Sequence, residues 1–141
     1  MPMPYSYRHA GEEWRDYLAG LRDRTLVPSD NTLYTATEAV LKSFRARLRP
    51  TEALAFADLL PAVLRAIFVS GWDIAAPRQP WPDREALRQE MLAWRRHHNV
   101  SPPDLLKDLL AAITATMRAP DLARVLARTG PEAEAFWRVQ Q

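Results

Sequence analysis

His9, His97 and His98 are the histidines of the chain and the first candidates for metal or proton chemistry. Neighbouring residues on a helix point about 100° apart, so His97 and His98 are poorly placed to hold one ion together. Glu90, the nearest carboxylate on a comparable face, lies about two turns or roughly 10 Å from His97. The run Arg95-Arg96-His97-His98 reads instead as positive charge at the carbonyl end of a helix. Glu12-Glu13 is the conspicuous carboxylate pair, and at a helix start it reads as a solvated first turn rather than a proton-sharing dyad. Ser43 and Ser70 have no histidine near them in sequence to act as a base. Gly11, Gly20, Gly71 and Gly130 compose no phosphate-binding or dinucleotide loop. With no cysteine in 141 residues, disulfides, thiolate ligands and cysteine nucleophiles are excluded. No catalytic residue, cofactor or metal ligand is expected.

Two surface features carry the remaining functional interest. Lys42, Arg45 and Arg49 recur at intervals of three and four, making a positive ridge that could touch phosphates or an acidic partner, although a solvated helix face accounts for it as well. Arg47 belongs to the same basic run. Of the five tryptophans, Trp14 and Trp94 fall within apolar stripes and belong to the core. Trp72, Trp81 and Trp137 stand at a connection and near the chain end, where they either seal a seam or anchor a partner. The candidate interaction surface is therefore Trp72, Trp81, Trp137, Lys42, Arg45 and Arg49.

Amphipathic helices must position these residues. Val40, Leu41, Phe44 and Leu48, preceded by Leu33, Ala36 and Thr37, form one apolar stripe. Pro50 opens a further helix with Glu52 in its first turn, and Pro61 stops or kinks it. Leu64, Ile67 and Phe68 continue to Gly71, a natural stop because glycine takes a positive φ without strain. Upstream, Trp14, Tyr17, Leu18 and Leu21 make a short helix, and Ser29, Asp30 and Asn31 offer alternative caps for the long stripe. Pro77, Pro80 and Pro82 forbid a continuous helix after Gly71. Helical spacing resumes with Leu87, Met91 and Trp94, then with Leu105, Leu106, Leu109, Leu110, Ile113 and Met117. Leu122, Val125 and Leu126 follow, and Phe136 and Trp137 close the pattern.

Hydrophobic residues make up 48% of the chain and charged residues 26%, which suits one globular core. The formal charge of +2, with both signs interspersed, is no nucleic-acid-binding signature. No apolar run approaches the length of a membrane span, and the first residues hold no apolar segment of the secretory kind, so a soluble cytoplasmic protein is expected.

The second half echoes the first. A shift of 69 positions sets Val40, Leu41, Phe44, Leu48, Ile67 and Phe68 against Leu109, Leu110, Ile113, Met117, Phe136 and Trp137, and sets Pro61 against Gly130. Trp14, Leu18 and Leu21 match Leu87, Met91 and Trp94 at a shift of 73, so the connection absorbs a gap. The spacing predicts an all-α fold of about eight short helices in two tandem, pseudo-repeated units packed into one compact domain. The expected boundaries are an irregular arm over 1–11, a first unit over 12–71, a Pro/Trp connection over 72–81 and a second unit over 82–141.

Trp14 to Leu21, Thr37 to Leu48, Pro50 to Leu64 and the weaker copy from Asp108 to Trp137 together resemble the DUF2267 family of small helical bacterial proteins. The resemblance rests on a helix ending Arg47-Leu48, then Glu52-Ala53, Leu60-Pro61 and Leu64-Arg65. It departs at Thr129-Gly130, where the leucine-proline junction is replaced. The resemblance implies an all-helical fold and supplies no catalytic residues, because the family has no assigned biochemical role. From the residues, the expected function is a protein-interaction or regulatory module, through a partner or self-association. Two alternatives stand beside it: a nucleic-acid-binding domain using Lys42, Arg45 and Arg49, and a small-ligand protein or enzyme with a site between the units.

Overall fold

The computed structural model describes residues 3–27, 29–94 and 105–138. Among them are nine α-helices: α1 (Tyr5–Arg8), α2 (Ala10–Thr25), α3 (Asp30–Arg45), α4 (Pro50–Ala57), α5 (Ala62–Val69), α6 (Arg84–Trp94), α7 (Leu105–Thr114), α8 (Ala119–Thr129) and α9 (Pro131–Trp137). The stretch expected as an irregular arm contains one helical turn, α1, started after Pro4 by the backbone bonds of Tyr7 and Arg8 to its carbonyl. Ser29 caps α3, its hydroxyl accepting from the Thr32 N–H at 3.2 Å. Pro61 does not kink a helix; it separates α4 from α5 and serves as the N-cap of α5. Gly71, at φ 64°, takes the left-handed conformation just past α5.

The echo in sequence is an echo of elements. Displaced by 69, the starts of α4 and α5 fall on those of α8 and α9, and the end of α3 falls on that of α7. Even the turn after the long helix repeats. Ala46, Arg47 and Leu48 donate to Lys42, Phe44 and Arg45, just as Ala115, Thr116 and Met117 donate to Ala111, Ile113 and Thr114.

Neither unit buries its apolar stripes alone. The first helix of each unit packs on the long helix of the other, α2 on α7 and α6 on α3, while α3 meets α7 and α4 meets α8 as like on like. Such reciprocal contacts are those of an isologous dimer, here within one chain. Phe44 sits at the centre of the seam, its ring 4.8 Å from Phe56, 4.9 Å from Phe136, 5.3 Å from Trp137 and 5.9 Å from Trp81. One continuous core results, with Leu41, Phe44 and Leu64 of the first unit and Leu109, Ile113 and Phe136 of the second.

Candidate functional site

The basic ridge comes apart residue by residue. Lys42 Nζ is half-buried on α3 and pairs with Glu38 at 3.2 Å, one turn back. Arg45 turns to the carbonyl end of α5, where one guanidinium nitrogen donates to Phe68 O at 2.9 Å and Ser70 O at 2.8 Å. Burial lowers its pKa, against the opposing charge of Glu38. Arg49 is exposed and holds Glu52 at 3.1 Å. All three charges are thereby committed within the molecule, as is Arg84, which caps α9 through Ala135 O, Phe136 O and Arg138 O.

Arg47, read from sequence as part of a solvated basic run, is 7% exposed. Its Nη1 donates to Glu90 Oε2 at 2.9 Å, Glu90 Oε1 at 3.2 Å, Ser43 Oγ at 2.8 Å and Ser43 O at 2.9 Å, while Nε donates to Pro80 O at 3.0 Å. Ser43 Oγ in turn donates to Glu90 Oε2 at 2.5 Å. This cluster ties α3 to α6 and to the connection. The signal for it was present: Arg47 stands seven residues after Val40 and three after Phe44, on the apolar stripe rather than opposite it.

Trp81 and Trp137 meet around Phe44 and Phe136, and Trp72 stands apart from them. Trp137, which the sequence left as either a seam residue or part of a surface, is only 4% exposed and stacks on Phe56 at 5.4 Å, because α9 carries it into the seam beside Phe44. Its Nε1 is buried without a hydrogen-bond partner. Trp81 is half-buried between Phe44 and Phe136. Trp72 alone lies at an outer rim, with the Arg45 guanidinium 5.7 Å above its ring. There it borders a cleft of about 230 Å³ where Leu48, Pro50, Ile74 and Arg78 also contribute. Trp14, half-buried, packs on Tyr17 and Tyr34, and the side chain of Trp94 lies outside the described residues.

The remaining candidates for chemistry are scattered. His9 stacks on Tyr5 at 4.2 Å and meets Glu12 at 3.2 Å, whereas His97 and His98 lie outside the described residues. Glu13 parts company with Glu12: it lines a second cleft, against α7, with Oε1 buried and unpartnered. Tyr17, nearby, bonds Thr37 Oγ1 at 2.7 Å, and burial pushes its phenol well above the ordinary 10, against the opposing effect of that bond. Among the described residues no three His, Cys, Asp or Glu side chains could hold a metal ion together. No helix among the described residues is long and apolar enough to cross a membrane.

The family model described as an uncharacterized conserved protein, DUF2267, matches residues 14–136. The chain belongs to the DUF2267 family. The match begins within α2 and ends within α9, and α1 lies before it. Comparison of this DUF2267 chain with curated proteins gives no match.

Proposed function

We propose that this DUF2267 protein is a non-catalytic binding module that engages a protein partner through the cleft beside Trp72. The observation that carries the reading is Ile74, a large apolar side chain 64% exposed within that cleft. Around it, Trp72 and Pro50 supply apolar contact area, and Arg78 supplies a charged rim. The cleft is formed by an irregular segment laid on the end of α3, anchored by the Gln79 N–H on Ala46 O at 2.9 Å. Loops held on a rigid scaffold are where binding residues concentrate. A nucleic-acid role draws less support, since Lys42, Arg45 and Arg49 already have partners.

A photo-crosslinking residue placed at Ile74 in cells of the source organism should give discrete adducts. The same residue placed at exposed Arg128, on α8, should give none. Adducts equally abundant at both positions, or absent from both, would remove the reading. Ile74→Asp should abolish partner capture while leaving the thermal midpoint unchanged, because the side chain is mostly in water.

A further inference from the structure

The two units interlock through a pair of matching crossings, α2 on α7 and α6 on α3, that differ in what fills them. Where α6 crosses α3, the space is filled by Arg47, whose guanidinium lies against Glu90 and Ser43. The matching crossing is α2 on α7, and the 69-residue displacement puts Ala112 in place of Ser43 and Thr116 in place of Arg47. The 73-residue displacement of the first helix puts Tyr17 opposite Glu90. A cleft of about 320 Å³ lies there, with no arginine at the Arg47 position, lined by Glu13, Asp16, Tyr17, Gly20 and Arg24 of α2 and by Ala112 and Thr116 beyond.

Two further observations mark this cleft. Glu13 Oε1 is buried with no hydrogen-bond partner, and a carboxylate oxygen so placed calls for a donor. Gly20 stands within α2, where glycine is a poor helix former, yet a Cβ built on it meets nothing within 4 Å. Packing does not require that glycine; what it does is keep the cleft floor bare. Arg24, also on the cleft wall, is eleven residues from Glu13, or roughly 16 Å along the helix, and leaves the Glu13 end to the carboxylates.

We infer that this cleft binds the guanidinium group of a small ligand, which takes the place that Arg47 holds in the other half. Glu13 and Asp16 receive its N–H groups, and the ring of Tyr17 and the bare backbone at Gly20 receive its stem. A guanidinium is favoured over an ammonium because its planar fork bonds a carboxylate through two nitrogens.

The test uses the full chain and agmatine as the probe, followed by amide chemical shifts, with putrescine, which carries an ammonium where agmatine has its guanidinium, as the control. Saturable shifts are expected at Gly20 and Thr116, with putrescine weaker by about tenfold, as the loss of one charged hydrogen bond implies. Glu13→Gln should weaken agmatine by about tenfold or more. Thr116→Arg should rebuild the Arg47-type contact from within, raising the thermal midpoint and removing agmatine binding. Gly20→Leu, which places its side chain in open space, should block the cleft without loss of stability and decides the matter if Thr116→Arg fails to fold. Absence of saturable shifts at Gly20 and Thr116 in the wild type would overturn the inference, as would agmatine affinity unchanged by Glu13→Gln or Gly20→Leu. None of these outcomes depends on whether Ile74 meets a protein partner.

Discussion

Arg47 shows how far one residue's role depends on the face it occupies. By composition it is one more positive charge in Lys42, Arg45, Arg47 and Arg49, but its guanidinium is the buried tie between α3, α6 and the carbonyl of Pro80. Removing one member of such a pair strands the other, so Arg47→Ala should destabilise the protein by about 2–3 kcal/mol in urea unfolding. That is below the range for fully buried pairs, because the Glu90 side chain keeps about a third of its surface in water. Replacing both, as Arg47→Met with Glu90→Leu, should cost much less than the single change, since no charge is then left unpaired. The sequence carried the spacing that places Arg47 on the stripe. It did not carry the partner, because Glu90 lies in the other unit and the pairing exists only once the units interlock. Glu13 was opaque for the same reason: its first-turn position is legible, and the α7 wall that buries its oxygen is not.

Among the elements, helix starts and stops were the most legible feature, because they depend on local chemistry. Pro50, Pro61, Gly71 and Gly130 each mark a boundary that the backbone respects. The starts of α4 and α8 even share a device, an arginine N-cap facing an acid three residues on: Arg49 with Glu52 at 3.1 Å and Arg118 with Asp121 at 3.7 Å. In the first copy Glu52 also accepts the Arg49 N–H at 2.8 Å. Burial by itself would raise the Glu52 carboxyl, but the Arg49 side chain, the Arg49 N–H and the charges of Arg49 and Arg78 together hold it below its ordinary 4.5. A depressed folded-state pKa gives stability that is present above the unfolded pKa and lost as pH falls through the folded one. Stability of the wild type should therefore fall on acidification from about pH 5 downwards, and Glu52→Gln should show a shallower fall over the same range, measured by urea midpoints. The one-turn helix α1 falls within the stretch expected as an irregular arm, and Pro4 stands before its first turn, where proline is compatible with starting a helix.

At the scale of the molecule, the apolar stripe of α3 said that a partner was needed, and the echo at 69 said where a matching stripe would be found. Nothing in either stripe said that the first helix of each unit would pack across on the other's long helix more than on its own. Both arrangements bury the same residues, and side-chain shape at the crossing decides between them. The interlock makes Phe44 common property, in ring contact with residues of α4, α9 and the connection. It also places the two clefts, one at the outer end of α3 and one at the α2–α7 crossing, on a single framework. Neither unit should hold its structure independently of the other. Native-state hydrogen exchange of the full chain, with and without Phe44→Ala, tests it most directly. The slowest amides of α3 and α7 should exchange with the same free energy, and the substitution should lower both by about 3–5 kcal/mol or to the point of unfolding. Protection of α7 that persists while that of α3 falls would show two separable units, the opposite result.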